Sequence, residues 1–139
     1  MRVSFVAAVV ALTCVPAAFA ADPARGKRLY DARCGGCHAI AENGPGPRHQ
    51  GLFCRQAGTQ PGYDYSEALM ASGVTWTDAT LDRWLADPNA LVPGNAMVVQ
   101  LAPLASERAD LIAFLRAATQ GSNMCRRSGR SMVTGSGHH

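Results

Sequence analysis

The sequence predicts an all-α fold of three main helices plus short helices, joined by long loops. Capped apolar segments with helical spacing recur, and none of them is long. No alternating strand pattern persists anywhere. Gly 14 and Pro 8 together make 22 of 139 residues, which gives loops a large share of the chain. The length holds one domain, and 47% hydrophobic residues supply a small core and argue against disorder along the whole chain. A net charge of +3 is too mild to argue for nucleic-acid binding. A large enzyme with its own substrate domain is excluded by length.

Residues 1–20 read as a signal peptide. Arg2 is a short positive region, Val6 to Leu12 is apolar, and Ala18-Phe19-Ala20 is a cleavage signal. The uncharged run from Val3 to Ala21 approaches the roughly 20 apolar residues of a membrane anchor. It is broken by Pro16 and ends in the cleavage signal, which favours cleavage. Cys14 lacks a lipoprotein context, because Ala11-Leu12-Thr13 precede it, and it is expected to leave with the signal. The mature protein is therefore expected in a bacterial periplasm, where disulfides are permitted. Residues 21–120 form the domain, and residues 121–139 form a polar basic C-terminal tail.

Asp22-Pro23 opens the first helix, with Asp as cap and Pro at the first helical position. That helix is expected to run to about Cys34 and to bury Leu29 and Tyr30. Gly26 within it costs helix stability, which predicts a close approach by another backbone. Gly35 to Gly62 is loop, and Ser66 to Ala71 forms a short helix. Thr77 caps Asp78 to Ala86, which places Leu81, Trp84 and Leu85 on one face. A second loop spans Pro88 to Pro103. Ser106 then caps the last helix, with Glu107 and Asp110 in the turn where the dipole favours acids. Leu111, Ile112, Phe114, Leu115 and Ala118 give that helix a wide apolar face.

The chemistry lies in Cys34-Gly35-Gly36-Cys37-His38, the attachment pattern of c-type heme. Two thiols three positions apart can bond both vinyl groups of one heme, and the adjacent His reaches the iron from the same side. A thioredoxin-like redox pair would want a βαβ setting, which this chain lacks. A zinc site would want a second close pair of ligands, but Cys54 and Cys125 stand singly. The second axial ligand has to come from the far side of the heme. Met97 follows Pro93-Gly94-Asn95-Ala96 in a loop, 59 residues beyond His38, so the chain can wrap around the macrocycle. Met70 is expected to serve core packing, and Met124 and Met132 lie in the tail. His49, 11 residues after His38, is the alternative ligand, but His/Met ligation suits the c-type pattern better.

From about Ala24 to Ala118 the sequence resembles class I cytochromes c, particularly the mitochondrial cytochrome c and bacterial cytochrome c2 branch. The resemblance rests on ordered motifs. After Cys34 to His38 come Gly46-Pro47, Gly51-Leu52-Phe53, Arg55-Gln56-Ala57-Gly58 and Pro61 to Ser66. Gly73-Val74-Thr75-Trp76, Trp84 to Pro88, Pro93 to Met97 and Arg108 to Leu115 complete the series. It implies a small single-heme cytochrome c fold, with loops wrapped around one covalent heme c. It also implies that the Pro47 carbonyl orients His38. Arg55, Tyr65 and Trp76 are implied as partners of the inner heme propionate, and Trp84 as the aromatic beside the Met ligand. Gly26 and Tyr30 are implied to meet the last helix near Phe114 and Leu115.

The sequence departs from the family in two respects. The family often docks through lysines around the heme edge, whereas Lys27 is the single lysine here and Ala96 stands where lysine is common. Residues 21 to 120 carry 9 basic and 10 acidic groups, or −1, so steering toward an acidic partner is expected to be weak. The second departure is Cys54, where the family usually has glycine. With Cys14 and the heme thiols set aside, Cys54 and Cys125 are an even pair in an exported protein, and a disulfide between them is expected. Separate thiols, or dimers through Cys125, are the alternatives.

These readings imply a monomeric periplasmic electron carrier of a respiratory chain and not an enzyme. Its partners would be redox proteins met by transient docking: a bc1-type complex, an oxidase, a photosynthetic reaction centre or a periplasmic dehydrogenase. The rivals are a peroxidase-like enzyme or ligand sensor with a labile sixth ligand, and a permanent cytochrome subunit of a dehydrogenase complex.

Overall fold

The structure, a computed structural model, describes residues 20–97, 99–100 and 102–119. The expected signal peptide up to Phe19 and the tail from 121 onward, with Cys125, lie outside the described residues. The described residues form five helices: α1 Pro23–Arg33, α2 Glu67–Met70, α3 Asp78–Ala86, α4 Pro88–Leu91 and α5 Ala105–Ala118. The three main helices are α1, α3 and α5. An isolated antiparallel bridge, Gln56 to Thr75, is recorded outside the helices.

The local signals explain most boundaries. The Asp22 side chain accepts from Ala24 N–H at the start of α1, with Pro23 at the first helical position. Ser66 caps α2, and Thr77 and Thr80 cap α3 reciprocally. The α3 face buries Leu81, Trp84 and Leu85. α1 and α5 pack against each other at Gly26, where Tyr30 meets Phe114 with ring centroids 5.1 Å apart. The buried Asp110 carboxylate of α5 accepts from the Asp22 backbone N–H at 2.7 Å and from Arg25. Burial raises the Asp110 pKa, but these two donors outweigh it and hold the carboxyl below its usual range.

Three expectations are corrected. The stretch from Pro88 to Pro103 is not all loop: Asp87 caps α4 by accepting from Asn89 and Ala90 N–H, and Pro88 occupies the first helical position. Ser106 does not cap α5. The helix begins at Ala105 with Leu104 in the cap position and no side-chain cap, because its first turn is held by tertiary contacts, with Glu107 paired to Arg33. Met70 is not core: it is 52% exposed at the end of α2, and its neighbour Leu69 packs inward instead.

Candidate functional site

α1 delivers the thiols. Cys34 caps α1 with its N–H on Tyr30 O at 2.8 Å, and the next turn closes with His38 N–H on Cys34 O at 2.8 Å. Neither Cys34 nor Cys37 is in a disulfide; the first is buried and the second exposed. Burial pushes the Cys34 thiol up to about 11, with Arg33 pulling it down and Cys37 pushing it up.

Three neighbours hold His38. Its Nδ1 donates to the Pro47 carbonyl at 2.8 Å, which leaves Nε2 as the nitrogen with a lone pair. The Gly46 backbone lies so close that a Cβ there would stand 2.6 Å from His38 Nδ1 and 2.8 Å from Nε2, so only glycine fits. The His49 ring stacks on His38 with centroids 4.4 Å apart and planes 20° apart. His49 is tied to Tyr30 by Nδ1 at 3.0 Å from Tyr30 Oη. Burial, with smaller contributions from His38 and Arg55, pushes the His49 imidazole down to about 3. Burial also pushes the Tyr30 hydroxyl up to about 12, with Cys34 and Asp31 adding to the rise.

A cavity of about 350 Å³ opens beside these residues. Cys34, Cys37, His38, Arg55, Tyr65, Trp76, Trp84 and Met97 all line it. Met97 is brought there by a chain of local contacts that begins in α4. Asn89 Oδ1 accepts from Gly94 N–H at 3.2 Å. Buried Asn95 donates through Nδ2 to Val92 O at 2.8 Å and accepts from Met97 N–H through Oδ1 at 2.7 Å. Nothing local in the sequence marks the role of Asn95, although Asp87-Pro88 is a helix-start signal that points to α4.

Arg55 and Trp76 become neighbours because two loops run antiparallel for a few residues. Cys54 N–H donates to Trp76 O at 2.8 Å, and Trp76 N–H donates to Arg55 O at 3.0 Å. Arg55 donates to Gln50 O at 2.7 Å and to Gln60 Oε1, yet its buried Nε has no hydrogen-bond partner. Burial, with Arg48 adding to the effect, lowers the Arg55 pKa, while Tyr65 raises it. An orphaned guanidinium N–H in a mostly apolar cavity suits a carboxylate such as a heme propionate. Trp76 and Trp84 meet edge to face, with centroids 5.3 Å apart. Two thiols, an oriented imidazole, a thioether and this arginine around one cavity fit a covalently bound heme.

Cys54 has φ 64, in the left-handed region that glycine occupies without cost. Cys54 is disulfide-bonded, and its expected partner Cys125 lies outside the described residues.

A family model described as cytochrome c matches residues 23–119. Cytochrome c2 from Rhodomicrobium vannielii is 41% identical over 99 residues, covering 69% of this chain and 78% of that protein. Cytochrome c from Chlamydomonas reinhardtii is 42% identical over 103 residues, covering 72% of this chain and 92% of that protein. Among solved structures, cytochrome cH from Methylobacterium extorquens superposes with a TM-score of 0.66 at 40% identity, covering 69% of this chain and 98% of that one.

Proposed function

Since the chain belongs to the cytochrome c family and carries one covalent heme c, we propose that it is a periplasmic one-electron carrier with His38 and Met97 as axial ligands. It is an electron-transfer heme protein that serves redox partner proteins. The observation that carries the finer reading is the convergence of Cys34, Cys37, His38 and Met97 on one cavity. What supports Met97 over His49 as the sixth ligand is the stack. His49 lies face to face with His38, on the same side, whereas a second ligand to a heme held by His38 would have to face it across the cavity.

Heme c supplies a one-electron couple between ferrous and ferric iron, and the protein tunes its potential and access. Cys34 and Cys37 tether it, while Pro47 fixes the tautomer and direction of His38. With His38 and Met97 both holding the iron, the heme would offer substrate no open position. Arg55, Tyr65 and Trp76, which line the cavity, would compensate an inner heme propionate, and Trp84 would stand beside the Met97 ligand. The signal peptide ending near Ala20 accounts for export, and a Cys54–Cys125 disulfide would tie the tail to the loop that carries Arg55. The carrier works as a monomer that docks briefly on a bc1-type complex, an oxidase, a reaction centre or a periplasmic dehydrogenase.

The test of heme attachment is direct. Heme should stay with the denatured wild type through acid-acetone extraction, and Cys34→Ser with Cys37→Ser should abolish that retention. Heme that extracts freely from the wild type would overturn the proposal.

Docking should depend only weakly on salt. Five of the nine basic side chains in residues 21–120 are already paired: Arg25 with Asp110, Lys27 with Asp31, Arg33 with Glu107, Arg108 with Asp82 and Arg116 with Asp78. Arg48 and Arg55 each bury their Nε, so within residues 21–120 Arg28 and Arg83 are the basic side chains with neither an ion pair nor a buried guanidinium nitrogen. Screening acts over about 8 Å at physiological ionic strength. Stopped-flow electron transfer with a bc1-type complex should therefore slow by no more than about tenfold from low to physiological salt, the low end of what steering supplies. A steeper fall would show that the arginines act as a docking ring.

A further inference from the structure

We propose that His49 is a positioning residue for His38: its ring face fixes the plane of the axial imidazole and favours the oxidised heme. This rests on the reading of His38 as an axial ligand. Pro47 anchors His38 at Nδ1, and iron would anchor it at Nε2. Two anchored atoms still allow the ring to rock about the line between them. A flat surface against the ring face removes that freedom, and the His49 stack at 4.4 Å and 20° is such a surface.

His49 is itself well fixed. Its backbone N–H donates to Ala39 O at 3.0 Å and the next N–H, of Gln50, donates to Ile40 O at 2.7 Å, which sets the segment in register beside His38. Its Nδ1 is tied to Tyr30 Oη at 3.0 Å, and Tyr30 is 5% exposed and packed on Phe114. Packing alone would be served by an apolar side chain here, without the desolvation cost of burying a polar ring. The ring adds an electronic effect as well. On oxidation, part of the added positive charge would spread onto the axial imidazole, and the π face stacked on it would attract that charge.

The test compares holoproteins of the parent, His49→Leu, His49→Phe and Tyr30→Phe by low-temperature EPR of the ferric state and by potentiometry. His49→Leu removes the flat face and should change the g anisotropy and raise the midpoint potential. His49→Phe keeps a face and should stay nearer the parent in both. Tyr30→Phe loosens the stack without removing it and should shift both in the same direction as His49→Leu, by less. A parent with the low-spin signal of His and Met ligation and a His49→Leu variant identical to it would overturn this inference alone. A change in potential without a change in g anisotropy would overturn the positioning role. A parent without that low-spin signal would overturn the ligand assignment and this inference with it. If His49→Leu fails to take up heme, unchanged g values in Tyr30→Phe overturn the inference.

Discussion

Met97→Ala should keep its heme attached and lose its low-spin sixth ligand, and its midpoint potential should fall by a large part of the roughly 0.8 V that axial ligation spans. Attachment survives because the thiols of Cys34 and Cys37 are independent of the Met97 loop. The potential falls because a soft thioether favours ferrous iron more than the water or added base that replaces it. Spectral titration with imidazole, which the parent should resist, and potentiometry check both halves. Asn95→Ala should give a milder version of the same change. Asn95 Oδ1 holds the Met97 N–H at 2.7 Å and its Nδ2 holds Val92 O at 2.8 Å, so its loss frees the loop that presents the sulfur. A Met97→Ala protein with the parent spectrum and potential would overturn the ligand assignment.

The parts of this molecule legible in its sequence are those whose physics is local. The caps of α1 and α3, the apolar face of α3 and the contiguous Cys34 to His38 motif each depend on residues within a turn or two of one another. α4 escaped because four residues are too few to show a helical period, although Asp87-Pro88 marked its start. The first turn of α5 misled for a different reason. Ser106 has the chemistry of a cap, but Asp110 and Glu107 are committed to Asp22, Arg25 and Arg33 across the α1 interface, and those contacts decide where the helix begins. At the site, Arg55 and Trp76 are joined by loop-to-loop hydrogen bonds over about twenty residues, so only the family resemblance suggested their company. His49 shows the limit most clearly. Its residue type makes it an alternative iron ligand in the sequence, but the stack of its ring on His38, with 49 and 50 bonded to 39 and 40, depends on loop-to-loop contacts that no local pattern shows.

Gly26→Val should cost on the order of 3 kcal/mol of stability, a large share of the roughly 5–15 kcal/mol that holds a domain folded. The sign is not obvious from the helix alone. A glycine inside a helix is worse than alanine by about 1 kcal/mol, so on propensity alanine or valine at 26 would stabilise α1. Packing reverses that sign. A Cβ at 26 would run into the Asp110 backbone carbonyl and lie 2.8 Å from Phe114 Cβ, and a backbone carbonyl cannot swing aside as the tip of a side chain can. α5 would have to move away from α1. That movement would open the contact between Tyr30 and Phe114, and it would draw the buried Asp110 carboxylate from the Asp22 N–H and from Arg25. Because the clash begins at Cβ, Gly26→Ala should also destabilise, though less than Gly26→Val with its two further methyl groups. Urea unfolding of the holoproteins checks the order: midpoints should fall from parent to Gly26→Ala to Gly26→Val with little change in slope. A Gly26→Ala protein more stable than the parent by the propensity difference would show that α1 and α5 can separate at no cost, and the close approach would then not be the reason for this glycine.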